Sequence, residues 1–177
     1  FEQLGLPFDK AGVRVSRFIE GLSIIKQFFT GETVNFSGEY YTTTALRAIS
    51  RPVQQPHPPI IMGSRGRRML TLAAREADII LLAPPIEEKI GWLQEAAGER
   101  FEHLELGQSA FDIELTDGPL AAGPSFQEMP VEARPITTDQ AVEHLLEQRE
   151  RLGISYIQIQ ERQLENFTPV LARLNGK

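Results

Sequence analysis

Residues 58–70 read Pro58-Pro59-Ile60-Ile61-Met62-Gly63-Ser64-Arg65-Gly66-Arg67-Arg68-Met69-Leu70. A short apolar strand, Ile60–Met62, runs into a small glycine-containing turn, and the turn opens directly into a helix. Backbone N–H groups at the start of a helix have no partner inside it and carry partial positive charge. Arg65, Arg67 and Arg68 stand beside them. That is the chemistry of a phosphate or carboxylate cradle. An ordinary tight turn with solvated arginines has the same composition, and the residues alone leave both readings open.

The other residues able to do chemistry assemble less well. His57, His103 and His144 share no metal-ligand spacing, so His57 reads as structural and the other two as solvated. Asp78 opens a strand and suits a turn or cap. Glu87 and Glu88 fall in a first helical turn, where carboxylates favourably oppose the dipole. Tyr40, Tyr41 and Trp92 read as packing residues. No Ser/His/Asp set, P-loop or paired-carboxylate site is recognisable, so no catalytic residue is assigned and no metal is expected.

The elements that must position the turn follow from periodicity. Residues 9–30 read as an amphipathic helix with Asp9 as N-cap, Gly31 at C′, and a buried stripe of Phe18, Leu22, Ile25 and Phe29. Residues 33–42 read as a hairpin turning at Ser37-Gly38, with Tyr40 and Tyr41 on the return. Four prolines between Pro52 and Pro59 make an extended connector. Strands and helices then alternate: strand 60–62, helix 64–76 with Met69, Leu72 and Ala73 inward, strand 78–82, and a helix over 86–100. That helix turns Ile86, Ile90, Leu93 and Ala97 inward. Strand 109–115 follows, with Phe111, Ile113 and Leu115 alternating, then a Gly/Pro-rich segment over 117–135. Thr137 and Gln140 form a capping box for helix 138–152, which stops at Gly153. Strand 154–159 and helix 163–174 close the chain.

The chain has 177 residues and an apolar fraction of 41%, enough for a core, with net charge −6 and a pI near 5.2. That balance argues against a general nucleic-acid partner. There is no cysteine, which excludes disulfides and thiolate metal sites and favours a cytoplasmic location. No apolar run approaches the ~20 residues that span a membrane, and no signal peptide is visible. The first residue is Phe1 rather than Met, so an upstream segment is expected.

Four strands joined through helices imply a parallel sheet. Four βα units are half of a (β/α)₈ barrel, which typically needs ~250 residues. A flavodoxin-like open sheet is the competing architecture. Gln158 and Gln160 alternating with Ile157 and Ile159 lean towards a barrel wall, because open-sheet central strands run more uniformly apolar.

Several segments together resemble the luciferase-like monooxygenase superfamily, in its deazaflavin (coenzyme F420)-dependent oxidoreductase branch. They are Arg14-Val-Ser-Arg-Phe-Ile-Glu-Gly-Leu22, Phe28-Phe-Thr-Gly-Glu32, Val34-Asn-Phe-Ser-Gly-Glu-Tyr-Tyr41 and Arg51-Pro-Val-Gln-Gln-Pro-His-Pro-Pro-Ile60. The Met62-Gly-Ser-Arg-Gly-Arg-Arg68 turn, Leu72-Ala-Ala-Arg-Glu-Ala-Asp78, Leu152-Gly-Ile-Ser-Tyr-Ile157 and Phe167-Thr-Pro-Val-Leu-Ala-Arg-Leu174 complete the set. They span nearly the whole chain in the family's order.

The resemblance implies that residues 1–177 are the C-terminal part of a single luciferase-like barrel domain. Residues 1–58 would be helix, hairpin and connector, and residues 59–177 the βα units. It also implies a cofactor, F420 or alternatively FMN, at the C-terminal ends of the strands. Gly63, Ser64, Arg65, Gly66 and Arg67 stand where the family holds the cofactor phosphate, with Ser64 replacing a common glycine. Leu82–Pro84 and Gln158–Gln160 are the implied pocket wall. The family's N-terminal half, which carries most groups around the redox ring, has no counterpart here. Two readings follow. One is an oxidoreductase acting on a small-molecule substrate by hydride transfer or monooxygenation. The other is a non-catalytic half-barrel that pairs with a second copy or a complementary half, since a four-strand half leaves two unpaired edges and an open apolar face.

Overall fold

A computed structural model describes residues 1–48, 51–111, 113–117 and 136–175. The chain divides into two compact units, Phe1–Ile60 and Ile61–Lys177.

In the first unit, helix α1 (Ala11–Phe29) precedes an antiparallel hairpin of β1 (Val34–Ser37) and β2 (Thr42–Leu46). Gly31 takes φ +72° just past the helix, the left-handed C′ position that a side chain would disfavour. Asp9 is not the N-cap: Lys10 is, and Asp9 instead pairs with Arg17 at 3.0 Å. Tyr40 and Tyr41 lie in the connection rather than on β2, because Ser37 pairs with Thr42. Of the expected buried stripe only Leu22 is buried, while Phe18 and Ile25 are 42% and 49% exposed. Periodicity marks which face of a helix is apolar, and this two-stranded hairpin is too small to cover all of it.

The Glu20 carboxylate ties α1 to the hairpin. It accepts hydrogen bonds from the backbone N–H groups of Glu39 (2.8 Å), Tyr40 (3.0 Å) and Tyr41 (3.0 Å). Gly38 lies against that carboxylate, where a Cβ would collide with it and with the Phe36 ring. Desolvation pushes the Glu20 pKa up, but the amides of Tyr40, Glu39 and Tyr41 outweigh it and hold the carboxyl below its ordinary value. A depressed folded pKa gives stability above the ordinary glutamate range, and that stability is lost as pH falls through the lowered value. The melting-temperature gap between the native chain and Glu20→Gln is therefore expected to be widest at neutral pH. It should close on acidification, and a gap constant with pH would contradict this account.

The second unit holds four parallel strands, β3 (Ile61–Ser64), β4 (Ile79–Leu82), β5 (Glu105–Ser109) and β6 (Ile154–Gln158), in that spatial order. Helices α2 (Arg67–Glu76), α3 (Ile86–Ala97) and α4 (Thr138–Leu152) connect them, and α5 (Leu164–Leu174) follows β6. This is the C-terminal half of a (β/α)₈ barrel, four βα units preceded in sequence by a helix and a hairpin. Met62, Ile80, Leu106 and Ile154 stand in register and are all buried, so this face carries the helices. Gly63, Leu81, Gly107 and Tyr156 share the opposite face, which is more open: Ile61 at its start is 45% exposed.

The strand expected over 109–115 lies earlier, at Glu105–Ser109. Gly107 looks like a strand breaker, yet a Cβ there would sit 2.8 Å from Leu81 Cδ2 and 2.7 Å from the Tyr156 carbonyl oxygen. The neighbouring strands leave room for glycine alone. Phe111, Ile113 and Leu115 then form an irregular segment. Leu115 makes an isolated bridge to Ile136, and Ala110 and Leu115 pack with Ala141, Leu145, Phe167 and Val170. The buried Gln163 side chain holds this segment: Nε2 donates to the carbonyls of Ala110 (3.0 Å), Ile113 (2.8 Å) and, more weakly, Phe111 (3.5 Å), while Oε1 accepts from Gln160 N–H.

Both ends of α4 follow the sequence. Thr137 and Gln140 form the capping box, and Gly153 closes the helix at φ +71°. Asp117 adds a further cap, accepting from Thr138 N–H and Oγ1–H at 2.8 and 3.0 Å. The Thr138 amide is the largest of the effects holding the Asp117 carboxyl below its usual value. The remainder of the Gly/Pro-rich segment, 118–135, lies outside the described residues. Helix α3 ends at Ala97 and passes into a 3₁₀ segment, Gly98–His103, instead of running to residue 100. Arg100 in that segment donates to the carbonyls of Ala74 (2.8 Å) and Ala77 (2.5 Å), closing the C-terminal end of α2. Among the described residues no helix is long and apolar enough to cross a membrane.

Candidate functional site

The β3–α2 junction is tighter than the sequence suggests. Gly63 and Ser64 are not turn residues: they pair with Leu81 and Leu82 and end the strand. Only Arg65 and Gly66 separate β3 from α2, and Gly66 is the N-cap with φ −95° and ψ 142°. The Gly66 carbonyl accepts from Leu70 N–H at 3.0 Å, the first bond of the helix. No side chain among the described residues caps the turn, so the amides of Arg67, Arg68 and Met69 stay open for an outside acceptor.

The glycines carry further information. A Cβ on Gly66 would meet nothing within 4 Å, and one on Gly63 would reach Leu81 only at ordinary contact, 3.7 Å. Neither φ is positive. The protein's own packing therefore requires neither glycine, and what each leaves is room for something to approach the backbone. The arginines point the same way. Cations at a helix N-terminus oppose the macrodipole at a cost of about 0.3–1 kcal/mol each when exposed, so fold stability does not account for them. Arg65 and Arg68 are exposed and make no ion pair among the described residues. Arg67 is engaged: it donates to Glu95 at 2.6 Å and lies 5.8 Å from the centre of the Trp92 ring. Its guanidinium is directed to α3, leaving its backbone N–H as its contribution to the turn.

Behind the strand ends lies a cavity of about 580 Å³, lined by Arg65, by residues 82–87 and 108–111, by Ile113, and by the α4 residues His144, Gln148, Arg151 and Leu152. Of the five residues expected at the phosphate, only Arg65 reaches it. Leu82, Ala83 and Pro84 line it, whereas Gln158–Gln160 do not. Gln158 instead faces Ser109, with Ser109 Oγ–H donating to Oε1 at 3.4 Å. Gln160 accepts from Arg162 Nε–H and from Gln163 N–H.

Two residues that sequence reasoning missed hold this region in place. Gln163 fixes the segment after β5. Lys89 is buried on α3 and donates from Nζ to the Ala83 and Pro84 carbonyls, the latter at 2.9 Å, fixing the segment after β4. The Gln160-x-x-Gln163 spacing was a visible signal for the first; Lys89 follows a charged pair and reads as solvated. Glu87 pairs with Arg151 at 3.1 Å, and His144 stands exposed at the cavity mouth. His57 Nδ1 lies 2.9 Å from the Pro58 carbonyl. Among the described residues no group of His, Cys, Asp and Glu could hold a metal ion.

The chain is similar to known proteins at several levels. It is 37% identical over 75 residues to an F420-dependent glucose-6-phosphate dehydrogenase of Nakamurella multipartita, a match covering 42% of this chain and 22% of that enzyme. The aligned stretch is thus about a fifth of the relative's length. The backbone superposes on the coenzyme F420-dependent tetrahydromethanopterin reductase of Methanopyrus kandleri with TM-score 0.72 and 16% identity, over 99% of this chain and 71% of that one. It superposes on a riboflavin lyase holding a modified FMN with TM-score 0.75 and 11% identity, over 98% of this chain and 60% of that one. At those identities the superpositions speak for the fold. The model of the luciferase-like monooxygenase family matches residues 1–171, nearly every element described above, and on that match the chain belongs to the luciferase-like monooxygenase family.

Proposed function

We propose that this chain supplies the cofactor-phosphate turn of an oxidoreductase, with coenzyme F420 as the cofactor and FMN as the alternative, acting on a small-molecule substrate in the cytoplasm. The observation that carries this reading is the uncapped start of α2. Three open amides adjoin two glycines that nothing in the fold requires, with two unpaired arginines alongside. The F420-dependent relative supports the first cofactor, and the FMN-holding structural neighbour supports the second.

When bound, a deazaflavin supplies hydride transfer, and a reduced flavin supplies oxygen activation. The chain's own residues do simpler work. The amides of Arg67, Arg68 and Met69 donate to phosphate oxygens, Gly63 and Gly66 let the phosphate reach the backbone, and the Ser64 hydroxyl and the Arg65 guanidinium add donors at the strand end.

Titration of the purified chain with F420 and with FMN tests this reading. Gly66→Val fills open space, so it is expected to weaken cofactor binding at least about tenfold while leaving the fold intact. Tight FMN binding with none for F420 reverses the cofactor assignment, and binding of neither overturns the reading.

A second reading rests on the open face of the sheet. Ile61 is 45% exposed there, and β3 and β6 are the outer strands of the four-strand order. A half-barrel subunit that closes against another copy or a complementary half would cover both. A colourless dimer on gel filtration, indifferent to F420 and FMN, favours this second reading over the first.

A further inference from the structure

Arg67 is divided between two places. Its backbone N–H is the first of the open amides at the start of α2, while its side chain is engaged on the neighbouring helix α3. There Nη2–H donates to Glu95 Oε2 at 2.6 Å, and the guanidinium carbon stands 5.8 Å from the centre of the Trp92 ring. Trp92 is the only tryptophan in the chain.

That placement runs against the local preference of a helix. Side chains in a helix lean towards its N-terminus, so an arginine in the first turn is inclined towards the amides that begin it. The reach is covalent: the guanidinium belongs to the residue that carries one of those amides. Side-chain rotation alone takes it from Glu95 back to the turn, with no movement of the backbone.

The hold of α3 on this side chain is weak. Both members of the pair are largely open to solvent, 58% for Arg67 and 69% for Glu95. An ion pair in that setting and a ring contact at an exposed site each bias an equilibrium by only a few-fold. The buried Leu70, Ala73 and Ala74 of α2 and Leu93 of α3 supply the packing of these helices, so the pair is not what keeps them in place. Glu95 takes the guanidinium through one hydrogen bond. A phosphate at the turn offers more negative charge and more acceptor oxygens, and the amides of Arg67, Arg68 and Met69 hold it within reach.

We propose that the contact of Arg67 with Glu95 and Trp92 is a latch on the anion site. It parks the guanidinium on α3, and a phosphate bound at the start of α2 draws it off Glu95 and Trp92 onto its own oxygens. The latch rests on the proposed phosphate turn and adds a regulation to it: the affinity of the turn is set in part from α3, by how firmly the arginine is held there. Glu95 and the anion compete for one group. The latch therefore weakens the anion by the same factor by which the anion loosens the latch.

Inorganic phosphate, which is optically silent, is titrated into the full nitrogen-labelled chain. The amide signals of Arg67, Arg68 and Met69 report the anion, and the Trp92 indole N–H signal and fluorescence report the latch. Both sets are expected to change together and saturate at one concentration. Glu95→Gln should tighten phosphate about threefold, because the competitor is gone. Arg67→Gln should weaken it about tenfold and abolish the Trp92 response while the turn amides still shift. Both positions are exposed, so neither variant threatens the fold. Chloride at matched ionic strength screens the pair without filling the turn, and should move Trp92 far less. Turn amides that shift while Trp92 stays still, a Trp92 response to chloride equal to that for phosphate, or a Glu95→Gln affinity unchanged or lowered would overturn the latch and leave the phosphate turn standing. Turn amides silent in every variant would overturn the phosphate turn itself, and the latch with it.

Discussion

Replacing Gln163 with leucine is expected to be among the most damaging single changes to the second unit. The leucine keeps the volume but strips donors from the Ala110 and Ile113 carbonyls and the acceptor from Gln160 N–H. Each buried backbone group left unpaired costs about 1–3 kcal/mol, so a loss of about 2–5 kcal/mol is expected for the three after partial relaxation. Urea unfolding would show a lower midpoint at unchanged slope, the signature of lost stability without a change in compactness. Gln163→Glu separates the two halves of the contact. It keeps an acceptor for Gln160 N–H but sets a carboxylate against carbonyl oxygens, and it should be no less damaging. A wild-type midpoint for either variant would refute the role given to this side chain.

Gly107→Val should rival it. The new Cβ falls 2.7 Å from the Tyr156 carbonyl oxygen, which is backbone and can yield only if β5 and β6 part. Overpacking of this kind costs about 1–3 kcal/mol, and a branched side chain belongs at the upper end. For a chain of this size each kcal/mol lowers the melting temperature by about 2–4 °C, giving a fall of about 6–12 °C. The second close neighbour, Leu81 Cδ2 at 2.8 Å, is a flexible side-chain end. Leu81→Ala introduced alongside Gly107→Val should therefore recover little. Full recovery would show that the side chain, not the ladder, sets the limit.

These two residues also show where the sequence stops being legible. Helix α4 could be read completely because everything that begins and ends it is local: Thr137 and Gln140 at one end, Gly153 at the other. The β3–α2 turn could be located for the same reason, although the strand keeps Gly63 and Ser64 through pairing with β4 that composition does not reveal. Strand β5 was misplaced because its evidence is not local. Glu105-Leu106-Gly107-Gln108 has weak strand propensity, and only Leu81 and Tyr156 explain its glycine. Phe111, Ile113 and Leu115 alternate convincingly, yet Ile113 and Leu115 serve to cover α4 and α5. The cavity was invisible for a related reason: its lining comes from four stretches between residues 65 and 152, and none announces the others. Arg67 shows the converse case. Its position in the turn was legible, but its engagement with Glu95 and Trp92 on the next helix was not.

The contrast between the two ends of α2 has a mechanical consequence. Arg100 clamps the carbonyls of Ala74 and Ala77, while the amides of Arg67, Arg68 and Met69 are left loose. Leu70, Ala73 and Ala74 are buried along its length as well, so the helix is held in place apart from those amides. An acceptor that reaches them meets a rod already anchored, and little entropy is lost in holding it still.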